Sequence, residues 1–139
     1  MTADIRIRGL DHLVLRTTNP DTMKAFYVDV LGCTLERELP AEVGLIQLRA
    51  GNALIDLVIV DSKLGRTGGG APSGSGNNLD HFCLLLERIS AQDLRTALER
   101  KGVSVGEFGE RYGSEGMGES VYIHDPDGNV VELRASKFH

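Results

Sequence analysis

The chain has 139 residues, the length of one compact domain. Fifteen Lys and Arg against twenty Asp and Glu leave a formal net charge of −5, which argues against nucleic acid or an anionic membrane surface as a partner. No apolar run approaches the roughly 20 residues that cross a bilayer. The opening MTADIRIRGL lacks the apolar stretch of a secretory signal, so a cytoplasmic protein is expected.

LDHLVLRT (10–17) reads as a strand. Thr18, Asn19 and Pro20 then offer a helix start, and Met23, Phe26, Tyr27 and Val30 follow the i, i+3, i+4, i+7 pattern up to Gly32. Three strands follow at 33–38, 44–50 and 53–60, the last two joined by a tight turn at Gly51-Asn52. Residues 61–78, rich in Gly, Ser and Pro, read as a flexible linker. Beyond it LDHFCLLLE (79–87) is again a strand. Ser90 with Asp93 marks a second helix start, followed by Leu94, Ala97 and Leu98 and stopped by Gly102. Strands are expected at 103–108, 119–125 and 129–135, with a DPDG turn at 125–128 and a mobile glycine-rich loop over 106–118. Cys33 and Cys83 form neither a disulfide framework nor a C-x-x-C pair and read as reduced core thiols.

Both halves therefore read β-α-β-β-β, about 8–60 and 79–135. They also match in letters, since LDHLVL recurs as LDHFCL 69 positions on and LIDL (54–57) recurs as VVEL (130–133). Such self-similarity marks duplicated structural units. Side chains alternate across a strand. Leu13 and Leu15 thus oppose His12, Val14 and Arg16, and Ile55, Leu57 and Ile59 oppose Leu54, Asp56 and Val58. In the second half Phe82, Leu84 and Leu86 oppose His81, Cys83 and Leu85, and Val131 and Leu133 oppose Val130, Glu132 and Arg134.

His12, Asp56, His81 and Glu132 thereby sit opposite the apolar faces of their strands. Burying four such groups is costly unless each finds a partner, and a divalent cation would partner all of them. Two imidazoles and two carboxylates suit zinc, nickel, iron, cobalt or manganese. Blander readings exist: a half-buried histidine that is simply hydrogen-bonded, Asp56 as an ion-pair partner of Arg16, Arg49 or Arg134, and Glu132 facing solvent on an edge strand.

Four segments carry a family resemblance: LDHLVL, FYVDVLG (26–32), LDHFCL and YIHDPDGNVVEL (122–133). With them the chain resembles the vicinal oxygen chelate superfamily, which includes glyoxalase I, extradiol dioxygenases and bleomycin resistance proteins. The resemblance implies an α+β fold of paired βαβββ modules cupped around a metal, with His12, Asp56, His81 and Glu132 in the ligand positions, and a homodimer. Glyoxalase I usually has Glu where Asp56 stands. The shorter side chain leaves open direct ligation, ligation through water, or a two-His-one-carboxylate set.

The activity so implied is that of a glyoxalase-I-like lyase or isomerase, acting on a small carbonyl or thiol-adduct substrate through a metal-stabilised enediolate. Glu132 is the expected base and Asp56 the second candidate. Arg16, Arg134, Arg111 and Tyr122 are candidate substrate-binding residues, with 106–118 as a lid. The alternatives are an Fe(II) extradiol-type dioxygenase on His12, His81 and Glu132, and a metal-free binding protein.

Overall fold

The computed structural model describes residues 4–139, and the chain resolves into two compact units, one ending at Pro72 and the other spanning Ser73–His139. The first contains β1 (His12–Thr17), α1 (Pro20–Ala25), β2 (Thr34–Glu38), β3 (Leu45–Ala50) and β4 (Ala53–Ile59). Its sheet runs β1-β4-β3-β2, with β1 parallel to β4 and the other pairs antiparallel. The second contains β5 (Phe82–Leu86), α2 (Ala91–Arg100), β6 (Gly109–Gly113), β7 (Gly116–His124) and β8 (Val130–Ala135). Its order, β5-β8-β7-β6 with β5 parallel to β8, repeats the first. The fold is α+β, built of paired βαβββ modules. No helix among the described residues is long and apolar enough to cross a membrane.

Alternation builds each sheet's inner face. Leu15, Ile46, Leu48, Ile55 and Leu57 are buried in the first unit with Met23, Phe26 and Tyr27 from the helical segment. Burying one such aliphatic side chain is worth about 1.5–3 kcal/mol. Pro20 opens α1, as its fixed φ allows. Past Ala25 the helix widens into one π turn over Phe26–Val30, with Leu31 N–H donating to Phe26 C=O at 3.3 Å. Gly32, at φ 78°, ends it.

In the second unit Leu94 and Leu98 of α2 are buried with Val121, Ile123, Val131 and Leu133, while Ala97 is exposed. The Ser90 Oγ accepts from Asp93 N–H at 3.1 Å. Ser90→Ala is expected to lose about 1 kcal/mol of stability, measurable by urea unfolding.

The structure departs from the sequence reading in three places. Residues 103–108 form no strand, and most of the expected lid is instead the β6–β7 hairpin. Its glycines allow a close approach: a Cβ on Gly113 would overlap Arg134 Nη1, and one on Gly118 would lie 2.9 Å from Arg134 Nη2. The glycine-rich segment 61–78 is also not uniform. Ser62 is buried, its Oγ donating to Ile59 C=O at 2.6 Å and accepting from Gly65 N–H at 3.0 Å, and a 3₁₀ turn follows over Gly65–Gly68. Finally Cys33 is buried as expected, but Cys83 is exposed, on the face it shares with Glu132.

Candidate functional site

In the first unit His12 opens β1 and Asp56 lies in mid-β4. The register pairs His12 with Leu54 and Val14 with Asp56, so both side chains belong to the face opposite the buried core. His12 Nδ1 lies 2.7 Å from Asp11 Oδ2. That hydrogen bond, aided by the charges of Asp56 and Asp11, raises the imidazole pKa against the opposing effect of desolvation. Asp56 is 4% exposed. Its Oδ2 accepts from Gln47 Nε2 at 3.2 Å, while Oδ1 is buried with no hydrogen-bond partner among the described residues.

The second unit repeats the arrangement. His81, one residue before β5, holds Nδ1 at 2.7 Å from Asp80 Oδ2 and Nε2 at 3.1 Å from Glu132 Oε1. The Asp80 hydrogen bond is the main cause of its raised pKa, with the charges of Asp80 and Glu132 adding to it. Glu132 is 6% exposed. The two ring nitrogens of His81 thus each face a carboxylate oxygen, Asp80 on the Nδ1 side and Glu132 on the Nε2 side. Tyr122, opposite Glu132 in register, meets the His81 ring edge-on at 5.3 Å between centroids, and Arg111 stacks over Tyr122 at 4.5 Å. The DPDG turn sets this register: Asp125 Oδ1 accepts from Asp127 N–H and Asn129 N–H, both at 2.9 Å, and so closes the β7–β8 connection.

A cleft of about 120 Å³ lined by Asn77, Asp80, His81, Asn129 and Val130 opens beside His81. A larger one of about 300 Å³ in the same unit, lined by Leu94, Phe108, Glu110, Met117 and Leu133 among others, contains neither His81 nor Glu132. Among the described residues no three His, Cys, Asp or Glu side chains gather at one point. Within itself, each unit carries one imidazole and one buried carboxylate of the kind described above.

The arginines are engaged elsewhere. Arg16 donates to the carbonyls of Gly65, Gly69 and Gly70 at 3.0, 2.6 and 3.1 Å, tying the segment after β4 to β1. Arg134, 5% exposed, donates to the carbonyls of Arg111 at 2.6 Å and Gly116 at 3.3 Å, clamping the β6–β7 hairpin. Both, which the sequence reading offers as candidate substrate-binding residues, thus donate to backbone carbonyls within their own unit. Arg111 Nη1 is held by Ser120 C=O at 2.6 Å and Ser120 Oγ at 3.0 Å, which fixes the guanidinium on Tyr122. Glu115 accepts from Ser136 Oγ and Lys137 N–H, and the latter bond chiefly holds its carboxyl below the usual range. Three residues at the site escaped the sequence reading: Asp11, Asp80 and Gln47. The first two carried a signal, the Asp-His pair repeated in LDHLVL and LDHFCL. Gln47 carried none.

The sequence matches the Glyoxalase/Bleomycin resistance protein/Dioxygenase superfamily over residues 9–133. The chain belongs to this superfamily. Among solved structures, an integron cassette protein from V. cholerae is 28% identical, with a TM-score of 0.74 over 97% of this chain and 100% of its own. A lactoylglutathione lyase from Agrobacterium tumefaciens is 25% identical, with a TM-score of 0.68 over 94% of this chain and 96% of its own. A virulence protein from Salmonella typhimurium is 26% identical, with a TM-score of 0.70 over 94% and 98%. No curated protein matches the sequence significantly.

Proposed function

We propose that this superfamily member is a metal-dependent lyase or isomerase of the glyoxalase I kind, acting on a small carbonyl compound or a thiol adduct of one. His12, Asp56, His81 and Glu132 are the proposed ligands of a divalent ion, one of Ni, Zn, Co, Mn or Fe. The observation that carries this reading is the buried Asp56 Oδ1 with no hydrogen-bond partner among the described residues. An unsatisfied buried acceptor costs about 1–3 kcal/mol, more when charged, and a cation is the partner that removes that cost. A metal-free binding protein has no such use for it. Similarity to a lactoylglutathione lyase supports the choice of chemistry.

Held by His12, Asp56, His81 and Glu132, such an ion would supply Lewis-acid polarisation of adjacent substrate oxygens. Glu132 takes a proton from one substrate carbon and returns it to the neighbouring one. Asp11 and Asp80, each 2.7 Å from Nδ1 of its histidine, would hold the imidazoles in the tautomer that presents the Nε2 lone pair to the ion, and Tyr122 with Arg111 walls the Glu132 side.

Elemental analysis of protein purified without added metal, followed by assays with methylglyoxal plus glutathione and with a catechol, tests the reading. Bound divalent metal and turnover of the first substrate are expected. Turnover of the catechol with O₂ consumption makes the protein an extradiol-type dioxygenase and overturns the proposal.

A further inference from the structure

The carboxylate of Asp56 ends a row of three side chains lying across three strands. Arg37 on β2 pairs with Gln47 on β3, and Gln47 pairs with Asp56 on β4. Arg37 Nε donates to Gln47 Oε1 at 2.8 Å, and Gln47 Nε2 donates to Asp56 Oδ2 at 3.2 Å. An amide has two chemically opposite ends, and its neighbours decide which way it points. Arg37 can only donate, so it fixes Oε1 on its own side and leaves the NH₂ for Asp56.

A β-bulge makes this row possible. The register shifts between Leu35 and Arg37; continued unbroken from Leu35↔Leu48, the ladder would set Glu36 opposite Gln47. A carboxylate there would accept from the amide and turn its oxygen toward Asp56, oxygen against oxygen. Instead Glu36 pairs with Arg49, with Arg49 Nη2 3.1 Å from Glu36 Oε2. The consequence at Asp56 is a division between its two oxygens: Oδ2 is occupied, and Oδ1 is left as the one donor atom on offer. The second unit has no counterpart, because Tyr122 stands opposite Glu132 where Gln47 stands opposite Asp56.

Resting on the ligand set proposed above, we infer that Gln47, oriented by Arg37, is a positioning residue that makes Asp56 a fixed one-oxygen metal ligand. Proton transfer then falls to Glu132 alone. Asp56, held by the amide, neither swings nor binds through both oxygens.

The test is Co²⁺ titration of the metal-free full-length protein, followed by visible absorption. Gln47→Met keeps the side chain's length and removes both hydrogen bonds. It is expected to weaken Co²⁺ binding by about 10–100-fold and to shift the absorption bands, with the far-ultraviolet circular dichroism spectrum unchanged. Arg37 is exposed, so Arg37→Met reads the same relay without touching the core; a smaller loss is expected, restored in Arg37→Lys. Co²⁺ binding and spectra in Gln47→Met and Arg37→Met equal to the parent's, while Asp56→Ala binds poorly, overturn the positioning role and leave the ligand set standing. Full binding by Asp56→Ala removes Asp56 from the ligand set, and this inference with it.

Discussion

Replacing His81 by alanine is expected to abolish stoichiometric retention of a divalent ion while the chain still folds. His81 precedes β5 and its side chain is one-third exposed, so its removal opens no cavity in the core. What it removes is the Nε2 nitrogen 3.1 Å from Glu132 Oε1. A carboxylate that is 6% exposed is then left without its imidazole. That loss is expected to lower stability by about 1–3 kcal/mol, visible as a reduced melting temperature with an unchanged far-ultraviolet circular dichroism spectrum. Metal content by elemental analysis and turnover should both fall to background. A purified His81→Ala protein carrying the parent's metal content would sink the ligand set.

Gly65→Ala is expected to be the most damaging single-methyl addition in the glycine-rich segment. A Cβ at Gly65 would overlap Ile59 C=O, lie 2.6 Å from Val60 C=O and lie 2.7 Å from the Ile59 carbonyl carbon. These are backbone atoms at the end of β4, and unlike a side chain they have no rotamer to move into. Relief requires shifting the turn that Ser62 and Arg16 hold through Gly65. Overpacking of this kind costs about 1–3 kcal/mol. Gly70 is the matched control: nothing lies within 4 Å of its Cβ position and its φ is not positive, so Gly70→Ala is expected to be neutral or slightly stabilising. Equal urea midpoints for the two variants would show that Gly65 is not packed as described.

That contrast also shows where sequence reading stopped. Gly65 and Gly70 lie in one segment of uniform composition, and both read as flexible. The carbonyls packed against Gly65 are those of Ile59, the last residue of β4, and of Val60 just beyond it, and composition carries no trace of them. The hairpin misread as a lid is a similar case. Its glycines look like breakers, yet they make room for Arg134, which approaches from a strand more than ten residues further along. The DPDG turn and the Ser90 cap were legible because every bond they make is local.

The sequence by itself determined the order of elements in each module, the duplication, the buried faces and the placement of His12, Asp56, His81 and Glu132 opposite them. Strand alternation and helical periodicity are properties of neighbouring residues, so they can be read without knowing the partners. Only the tertiary structure decided what those side chains meet. It set Arg37, Gln47 and Asp56 in one row, placed Tyr122 against His81, and turned Arg16 and Arg134 onto backbone carbonyls. Each of these contacts depends on strand register, and the Arg37–Gln47–Asp56 row also on one bulge. A one-residue slip in register turns every side chain of a strand to the opposite face.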